Sequence, residues 1–246
     1  MKTYRDIAYG KLDEQKLDIY CPDEGNYPVF LYFHGGGIEA GKKSGDEIER
    51  IARYLTDRGI GFASADYRMY PTAVYPEFIR DAAMATAWTK EHIAEYGGNG
   101  EIYVGGSSAG GYLSMMLCFD KKYLAPYKMK PADLTGFIHD AGQPTTHFNV
   151  LRERGIDSRR VIVDEAAPLY HICAEGEYPR MLFIVSDHDM PGRYEQTRLV
   201  LATLKDFGKS GYDIIEMHGT HCAYVKAVDE NGDSVFGKMV FNYIKK

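Results

Sequence analysis

The stretch from Tyr103 to Ser114, YVGGSSAGGYLS, places two adjacent serines among four glycines. A serine nucleophile on a sharp strand-to-helix turn has strained backbone angles, and side chains two residues to either side would collide with the strand and the helix. Ser108 has glycine at both of those positions, Gly106 and Gly110, whereas Ser107 has Ala109 after it. The G-x-S-x-G pattern therefore predicts that Ser108, and not Ser107, is the nucleophile.

A second glycine-rich motif, His34-Gly35-Gly36-Gly37, follows the apolar run PVFLYF. Glycines let the backbone approach a reacting carbonyl group and direct free N–H groups at the oxyanion that develops there. We expect the amides of Gly36, Gly37 and Ala109 to form this oxyanion hole, and His34 to hold the loop in place by hydrogen bonds. The motif could also serve as a flexible loop or a phosphate cradle, but no P-loop lysine or dinucleotide fingerprint accompanies it.

A nucleophilic serine requires a base, and the base requires a carboxylate that orients it. Asp187-His188-Asp189 follows the apolar run MLFIVS, and His218-Gly219-Thr220-His221 follows IIEM. We favour His221 over His218 as the base, because Gly219 lets the chain turn back toward Ser108 before His221 is reached. The residues by themselves leave Asp187 and Asp189 both open as the acid.

These motifs need elements that bring them together. Short β-type runs alternate with helical stretches, which predicts an α/β fold with a mostly parallel central sheet and helices on both faces. The predicted strands are Asp6–Tyr9, Lys16–Cys21, Pro28–Phe33, Ile60–Tyr67, Glu101–Gly105, Gly136–His139, Met181–Ser186 and Asp213–Met217. The predicted helices are Pro76–Tyr96, Ala109–Phe119, Tyr194–Phe207 and Phe236–Ile244. Gln143–Tyr178 is the least regular segment.

The 246 residues fit one domain, 1–246, in which residues 143–178 would form a small insertion. A net charge of −6 with no dense Lys/Arg cluster argues against nucleic acid or an anionic membrane as a partner. No apolar run resembles a signal peptide or a membrane span, and the four cysteines lack CxxC spacing, so we expect a cytoplasmic protein with reduced thiols. The oligomeric state is not predicted.

HGGG, GSSAGG and the later Asp and His together resemble the hormone-sensitive-lipase-like carboxylesterases and their shorter esterase/lipase relatives. The resemblance implies the α/β-hydrolase fold, in which serine, acid and histidine follow in that order. These relatives place a Pro-containing turn and a Gln-bearing helix after the acid. Asp189-Met190-Pro191 with Gln196 matches that layout and implies Asp189 as the acid. The resemblance also implies that Asp66 and Arg68 form a structural polar pair.

The activity implied is hydrolysis of short-chain carboxylic esters, such as acetylated sugars or small aromatic esters, through an acyl-enzyme, with no cofactor and no metal. A short chain with little N-terminal cap favours an open pocket, whose walls we expect to include Ile38, His139 and the 143–178 segment. The main alternative is an arylformamidase-like amidase. There are two weaker alternatives. A non-catalytic ligand-binding member of the fold would leave a complete triad without a role. A metal-dependent hydrolase would leave the serine motif unexplained; its candidate ligands are Asp187, His188, Asp189, His218 and His221.

Overall fold

One continuous eight-stranded sheet forms the centre of the computed structural model, which describes residues 1–246. The strands are β1 (Lys2–Ala8), β2 (Lys16–Cys21), β3 (Tyr27–Phe33), β4 (Gly61–Ala65), β5 (Gly98–Ser107), β6 (Gly136–Asp140), β7 (Arg180–His188) and β8 (Tyr212–Thr220). The helices are α1 (Asp46–Thr56), α2 (Glu77–His92), α3 (Ala109–Phe119), α4 (Phe148–Glu153), α5 (Arg193–Asp206), α6 (Ala223–Lys226) and α7 (Val235–Ile244).

The strand order across the sheet is β1-β2-β4-β3-β5-β6-β7-β8. Only β1–β2 and β2–β4 pair antiparallel; every pairing from β4 to β8 is parallel. The carboxyl ends of β3, β5, β6, β7 and β8 consequently meet at one edge, where ligand sites of open α/β sheets lie. This arrangement confirms the predicted fold class.

Buried side chains alternate between the two faces of the sheet, as the period of two residues in a strand requires. In β3, Leu31 and Phe33 pack in the larger core cluster with α2, α3 and α5, whereas Phe30 and Tyr32 pack in the smaller one with α1 and α7. Since both faces are covered, the central strands are apolar throughout, which explains the unbroken run PVFLYF. Each fully buried large side chain contributes about 1.5–3 kcal/mol to folding.

Helix α1 is absent from the sequence-based prediction, although its pattern is present in the chain. Ile48, Ile51 and Leu55 recur at helical spacing and are buried, and the first turn carries three acidic residues, which favour a helix N-terminus. Strand β2 and helix α3 have the predicted ends, and the other predicted elements exist with shifted ends; β1 begins at Lys2, and α2 ends at His92 before a short 3₁₀ turn. No helix is long and apolar enough to cross a lipid bilayer.

Asp66 and Arg68 do not pair with each other, contrary to the prediction. Arg68 donates to both carboxylate oxygens of Asp81 at 2.8 Å and to Glu77 at 2.8 Å. Asp81 is fully buried on α2 and requires a cation that can bond both of its oxygens, which the planar guanidinium does. Asp66 instead accepts from the Lys43 backbone N–H at 2.5 Å and lies 3.5 Å from His34 Nε2.

Candidate active site

Ser108 occupies the turn between β5 and α3 and has backbone angles of φ 56° and ψ −111°. The flanking glycines permit this turn: a Cβ on Gly106 would lie 2.6 Å from the carbonyl carbon of Gly110, and a Cβ on Gly110 would lie 2.6 Å from that of Phe33. The Ser108 N–H donates to the Asp140 carbonyl at 2.8 Å, which fixes the turn to β6. The sterics predicted for the G-x-S-x-G pattern are therefore present at this turn.

A line of hydrogen bonds joins three of the predicted residues. His221 Nε2 lies 2.8 Å from Ser108 Oγ, and His221 Nδ1 lies 2.5 Å from Asp189 Oδ1. The Asp189 side chain has no exposed surface and also accepts from the Met190 N–H at 2.7 Å. Such a line can transfer the serine proton to the imidazole while the carboxylate holds the ring in one tautomer.

The competing residues lie elsewhere. Ser107 is 3% exposed. Asp187, His188 and His218 form a separate, exposed group at the ends of β7 and β8, in which Asp187 accepts from the Nδ1 atoms of both histidines at 2.7 Å. The five Asp and His residues that we considered for a metal-dependent hydrolase thus divide into two clusters with different surroundings.

The HGGG loop lies beside this line of residues. Gly36 and Gly37 have φ values of 111° and 66°, and their N–H groups donate to no acceptor in the protein. Ala109 is the first residue of α3, so its N–H has no acceptor within the helix. Asn149 Nδ2 donates to the Gly37 carbonyl at 2.5 Å and thereby fixes the loop. Nothing in the sequence pattern pointed to Asn149.

His34 holds the HGGG loop in place through its ring and its backbone carbonyl. Its ring stacks on Tyr67 with centroids 4.5 Å apart, its Nδ1 lies 2.7 Å from the Gly35 carbonyl, and its own carbonyl accepts from the Tyr67 hydroxyl at 2.8 Å. These contacts are of the structural kind that we expected for His34.

Neither predicted substrate-contacting side chain reaches the cavity. Ile38 is fully buried in the larger core cluster, because its positive φ of 65° turns the chain inward after Gly37. His139 is also buried: it lies among the rings of Phe119, Phe137 and Phe183, and its Nδ1 lies 2.9 Å from Ser114 Oγ. Burial lowers the pKa of His139 to about 3, so it is a neutral core residue.

A cavity of about 570 Å³ opens in front of Ser108 and His221. Its apolar lining includes Tyr32, Ile48, Phe148, Met190 and Val225, of which Phe148 belongs to the 143–178 segment. Its polar wall includes Lys42, Glu47 and Lys226. The cavity therefore combines apolar side chains with three charged ones.

Asp140 is a buried acid at the end of β6 that the sequence analysis did not single out. Its Oδ1 accepts a hydrogen bond from the Tyr224 hydroxyl, and its Oδ2 lies 3.9 Å from Cys222 Sγ. Burial raises its pKa to about 7, although the Tyr224 bond and the neighbouring His221 oppose the shift. The side chain thus ties the loop that carries His221 to the strand that fixes Ser108. In the sequence, only its position directly after a predicted strand could have indicated this role for Asp140.

Arg193, at the start of α5, is a buried cation near the same site. It donates to the Ala141 carbonyl at 2.5 Å and lies 3.4 Å from Gln143 Oε1, with no carboxylate among its hydrogen-bond partners. Burial lowers its pKa to about 10, while the nearby charge of Asp189 acts in the opposite direction. Arg193 therefore holds the chain after β6 and supplies positive charge near the predicted acid.

Comparison with known families matches residues 17–132 to the BD-FAE family model. Among similar proteins, a probable isoprenylcysteine alpha-carbonyl methylesterase of Oryza sativa subsp. japonica is 34% identical over 45% of this chain and 26% of its own length. Esterase LipI of Mycobacterium tuberculosis is 38% identical over 39% of this chain and 30% of its own length. The chain thus matches less than a third of either relative.

Solved structures match nearly the whole chain. A truncated carbohydrate esterase from gut microbiota superposes with a TM-score of 0.78 at 18% identity, covering 100% of this chain and 95% of that one. A thermophilic esterase of Thermogutta terrifontis, also solved with bound propionate, gives 0.75 at 21% identity, covering 99% of this chain and 90% of that one. These likenesses show the α/β-hydrolase fold, and the predicted resemblance to esterases of that fold is confirmed.

Proposed function

We propose that this chain, an α/β-hydrolase-fold protein similar to known esterases, is a serine esterase that cleaves short-chain carboxylic esters. The observation that carries the proposal is the hydrogen-bonded line Ser108–His221–Asp189 at the wall of the cavity. The unbonded amides of Gly36 and Gly37 beside it support the same chemistry, because acyl transfer requires donors for an oxyanion.

In the first half of the reaction, Ser108 Oγ attacks the ester carbonyl carbon while His221 Nε2 accepts the hydroxyl proton. Asp189, whose side chain has no exposed surface, lies beside the ring and stabilises the imidazolium that results. The Gly36, Gly37 and Ala109 amides donate to the oxyanion; loss of one such donor costs about 3 kcal/mol of transition-state stabilisation. The imidazolium then protonates the departing alkoxide, and an acyl-enzyme remains.

In the second half, His221 removes a proton from water, and the hydroxide formed attacks the acyl carbon. Collapse of the second tetrahedral intermediate releases the carboxylic acid, and the proton held by His221 returns to Ser108. The cycle uses only side chains and backbone groups of this chain, together with water.

The cavity favours small, polar esters. Lys42, Glu47 and Lys226 line the cavity beside its apolar side chains and would leave a long acyl chain next to charged groups. The structural relatives support this class, since one is a carbohydrate esterase and another binds propionate and butyrate. An acetylated sugar or a similar short-acyl ester therefore fits best.

The test is hydrolysis of p-nitrophenyl esters from acetate to decanoate by wild type and Ser108→Ala. We expect kcat/KM to fall with chain length and to drop by about 10⁴-fold or more in the variant. Ser107→Ala is the matched control, because it removes a neighbouring hydroxyl that lies outside the triad. A fluorophosphonate should add one covalent group to wild type and to Ser107→Ala, and none to Ser108→Ala.

Two results would contradict the proposal. A folded wild type that neither turns over any ester nor reacts with the fluorophosphonate would exclude a serine hydrolase. Turnover of an N-formyl aromatic amine in preference to every ester, with normal labelling at Ser108, would assign the same triad to an amidase instead.

A further inference from the structure

The ends of β7 and β8 carry a second constellation of chemically active side chains, Asp187, His188 and His218, which we call the outer cluster. Asp187 Oδ1 accepts from His188 Nδ1 at 2.7 Å and from the Gly219 N–H at 2.9 Å, and Oδ2 accepts from His218 Nδ1 at 2.7 Å. The proposed ester hydrolysis uses none of the three side chains. The cluster is therefore available for another purpose.

The donor set has the composition and geometry of a transition-metal site. One oxygen of Asp187 and one nitrogen from each histidine lie within 4.8 Å of one another, and this is the only such group of three His, Cys, Asp or Glu residues in the chain. Tetrahedral zinc with bonds of about 2.1 Å needs ligand atoms about 3.4 Å apart. The hydrogen-bonded oxygen and nitrogen atoms, now 2.7 Å apart, must separate slightly, and all three ligand atoms lie close enough for side-chain rotation to bring them to these positions.

Exposure makes that rotation easy. The side chains of Asp187, His188 and His218 are 42%, 68% and 86% exposed, so they can adjust without disturbing the core. The two imidazole rings are already nearly perpendicular, with centroids 5.4 Å apart, and do not block each other.

The ligand types select the metal. Two imidazoles and one carboxylate suit Zn²⁺, whereas Ca²⁺ and Mg²⁺ take oxygen ligands almost exclusively. The residues of the triad do not compete, because Asp189 is buried and His221 is bonded on both nitrogens. We propose that Asp187, His188 and His218 bind one Zn²⁺ ion that links β7 to β8, with a fourth position left for water.

Zinc binding at this site would stabilise the fold, because a ligand that binds the folded chain and not the unfolded one shifts the unfolding equilibrium. The ion would hold together the two segments that also carry Asp189, one residue beyond His188, and His221, three residues beyond His218. The site acts independently of the proposed esterase activity, so it can be tested without any substrate.

The experiment is calorimetric titration of zinc chloride into the full-length protein, together with thermal unfolding in the presence of zinc. We expect one equivalent of Zn²⁺ to bind wild type and to raise its Tm by several degrees. The double variant His188→Asn/His218→Asn should bind at least tenfold more weakly and lose the Tm shift. His92→Asn, which removes a partly exposed histidine on α2 that contacts Glu95, is the matched control and should behave as wild type.

Absence of stoichiometric binding to wild type would overturn the proposal, as would equal binding and equal Tm shifts in wild type and the double variant. Unfolding scans without zinc establish that each variant is folded. His188→Asn alone, at a side chain whose one hydrogen bond is to the adjacent Asp187, provides a second variant and should also weaken binding at least tenfold.

Discussion

The ends of β7 and β8 and the residues just after them carry two Asp–His groups that differ in burial and in orientation. The inner pair is Asp189 and His221, whose carboxylate has no exposed surface and whose ring reaches Ser108. In the outer cluster, Asp187 and His218 are bonded just as closely, at 2.7 Å, but both face solvent. Both groups join an aspartate to a histidine by a short hydrogen bond, and their surroundings separate them.

The difference matters because a carboxylate stabilises an imidazolium far more strongly when water is excluded. The inner pair is shielded by the β7 and β8 ends and directed at the cavity. The outer cluster is solvated, and solvent screens its charges. We expect the inner pair to control the rate of ester hydrolysis and the outer cluster to leave it almost unchanged.

The largest expected difference between the inner pair and the outer cluster comes from replacing their histidines. His221→Asn removes the only base within reach of Ser108 and should lower kcat by about 10⁶-fold. His218→Asn removes a solvated ring of the same type and should change kcat by less than about threefold. Steady-state kinetics on p-nitrophenyl acetate measures both. If His218→Asn were the more damaging change, the inner and outer assignments would have to be exchanged.

The aspartates give the next largest contrast. Asp189→Asn keeps the shape of the side chain but no longer stabilises the imidazolium or selects its tautomer, so kcat should fall by about 10⁴-fold. Asp187→Asn should lower kcat by less than about threefold, because its carboxylate is solvated. Thermal unfolding of both variants would separate a catalytic effect from misfolding. Comparable losses of kcat in two folded variants would contradict the comparison.

The smallest expected effect is that of replacing Asp140, and it concerns the pH dependence of the free energy of unfolding. Burial raises its pKa in the folded state to about 7, so the unfolded chain loses this proton at lower pH than the folded chain does. The contribution of Asp140 to stability is therefore fully present below about pH 4 and is lost as the pH rises to about 7, at about 1.4 kcal/mol per pKa unit. Asp140→Asn should remove this loss.

Denaturant unfolding of wild type and Asp140→Asn at pH 4 to 8 measures that prediction. The stability of the variant relative to wild type should increase across this range. A difference in stability between wild type and variant that does not depend on pH would show that Asp140 keeps an ordinary pKa.

Features that depend on residues adjacent in the chain were predicted correctly more often than features that depend on distant residues. The turn at Ser108 was predictable because steric exclusion acts between neighbours in the chain, and Gly106 and Gly110 reveal it. Helix α1 was predictable in principle from its spacing but was not identified. Ile38 and His139 were assigned to the cavity from their places beside motifs, yet both point into the core. The direction of a side chain after a turn depends on backbone angles that neighbouring residue types do not reveal.

The sequence by itself determined the α/β fold, the strand-to-helix turn at Ser108 and the glycine-rich loop at Gly36 and Gly37, because apolar periodicity and steric limits are local properties. Only the tertiary structure separated the inner pair from the outer cluster, since adjacent residues such as His188 and Asp189 face opposite surroundings at a strand end. It alone revealed Asn149, Asp140 and Arg193, whose partners are distant in the chain. Contacts of that kind exist only once the sheet has brought its carboxyl ends together.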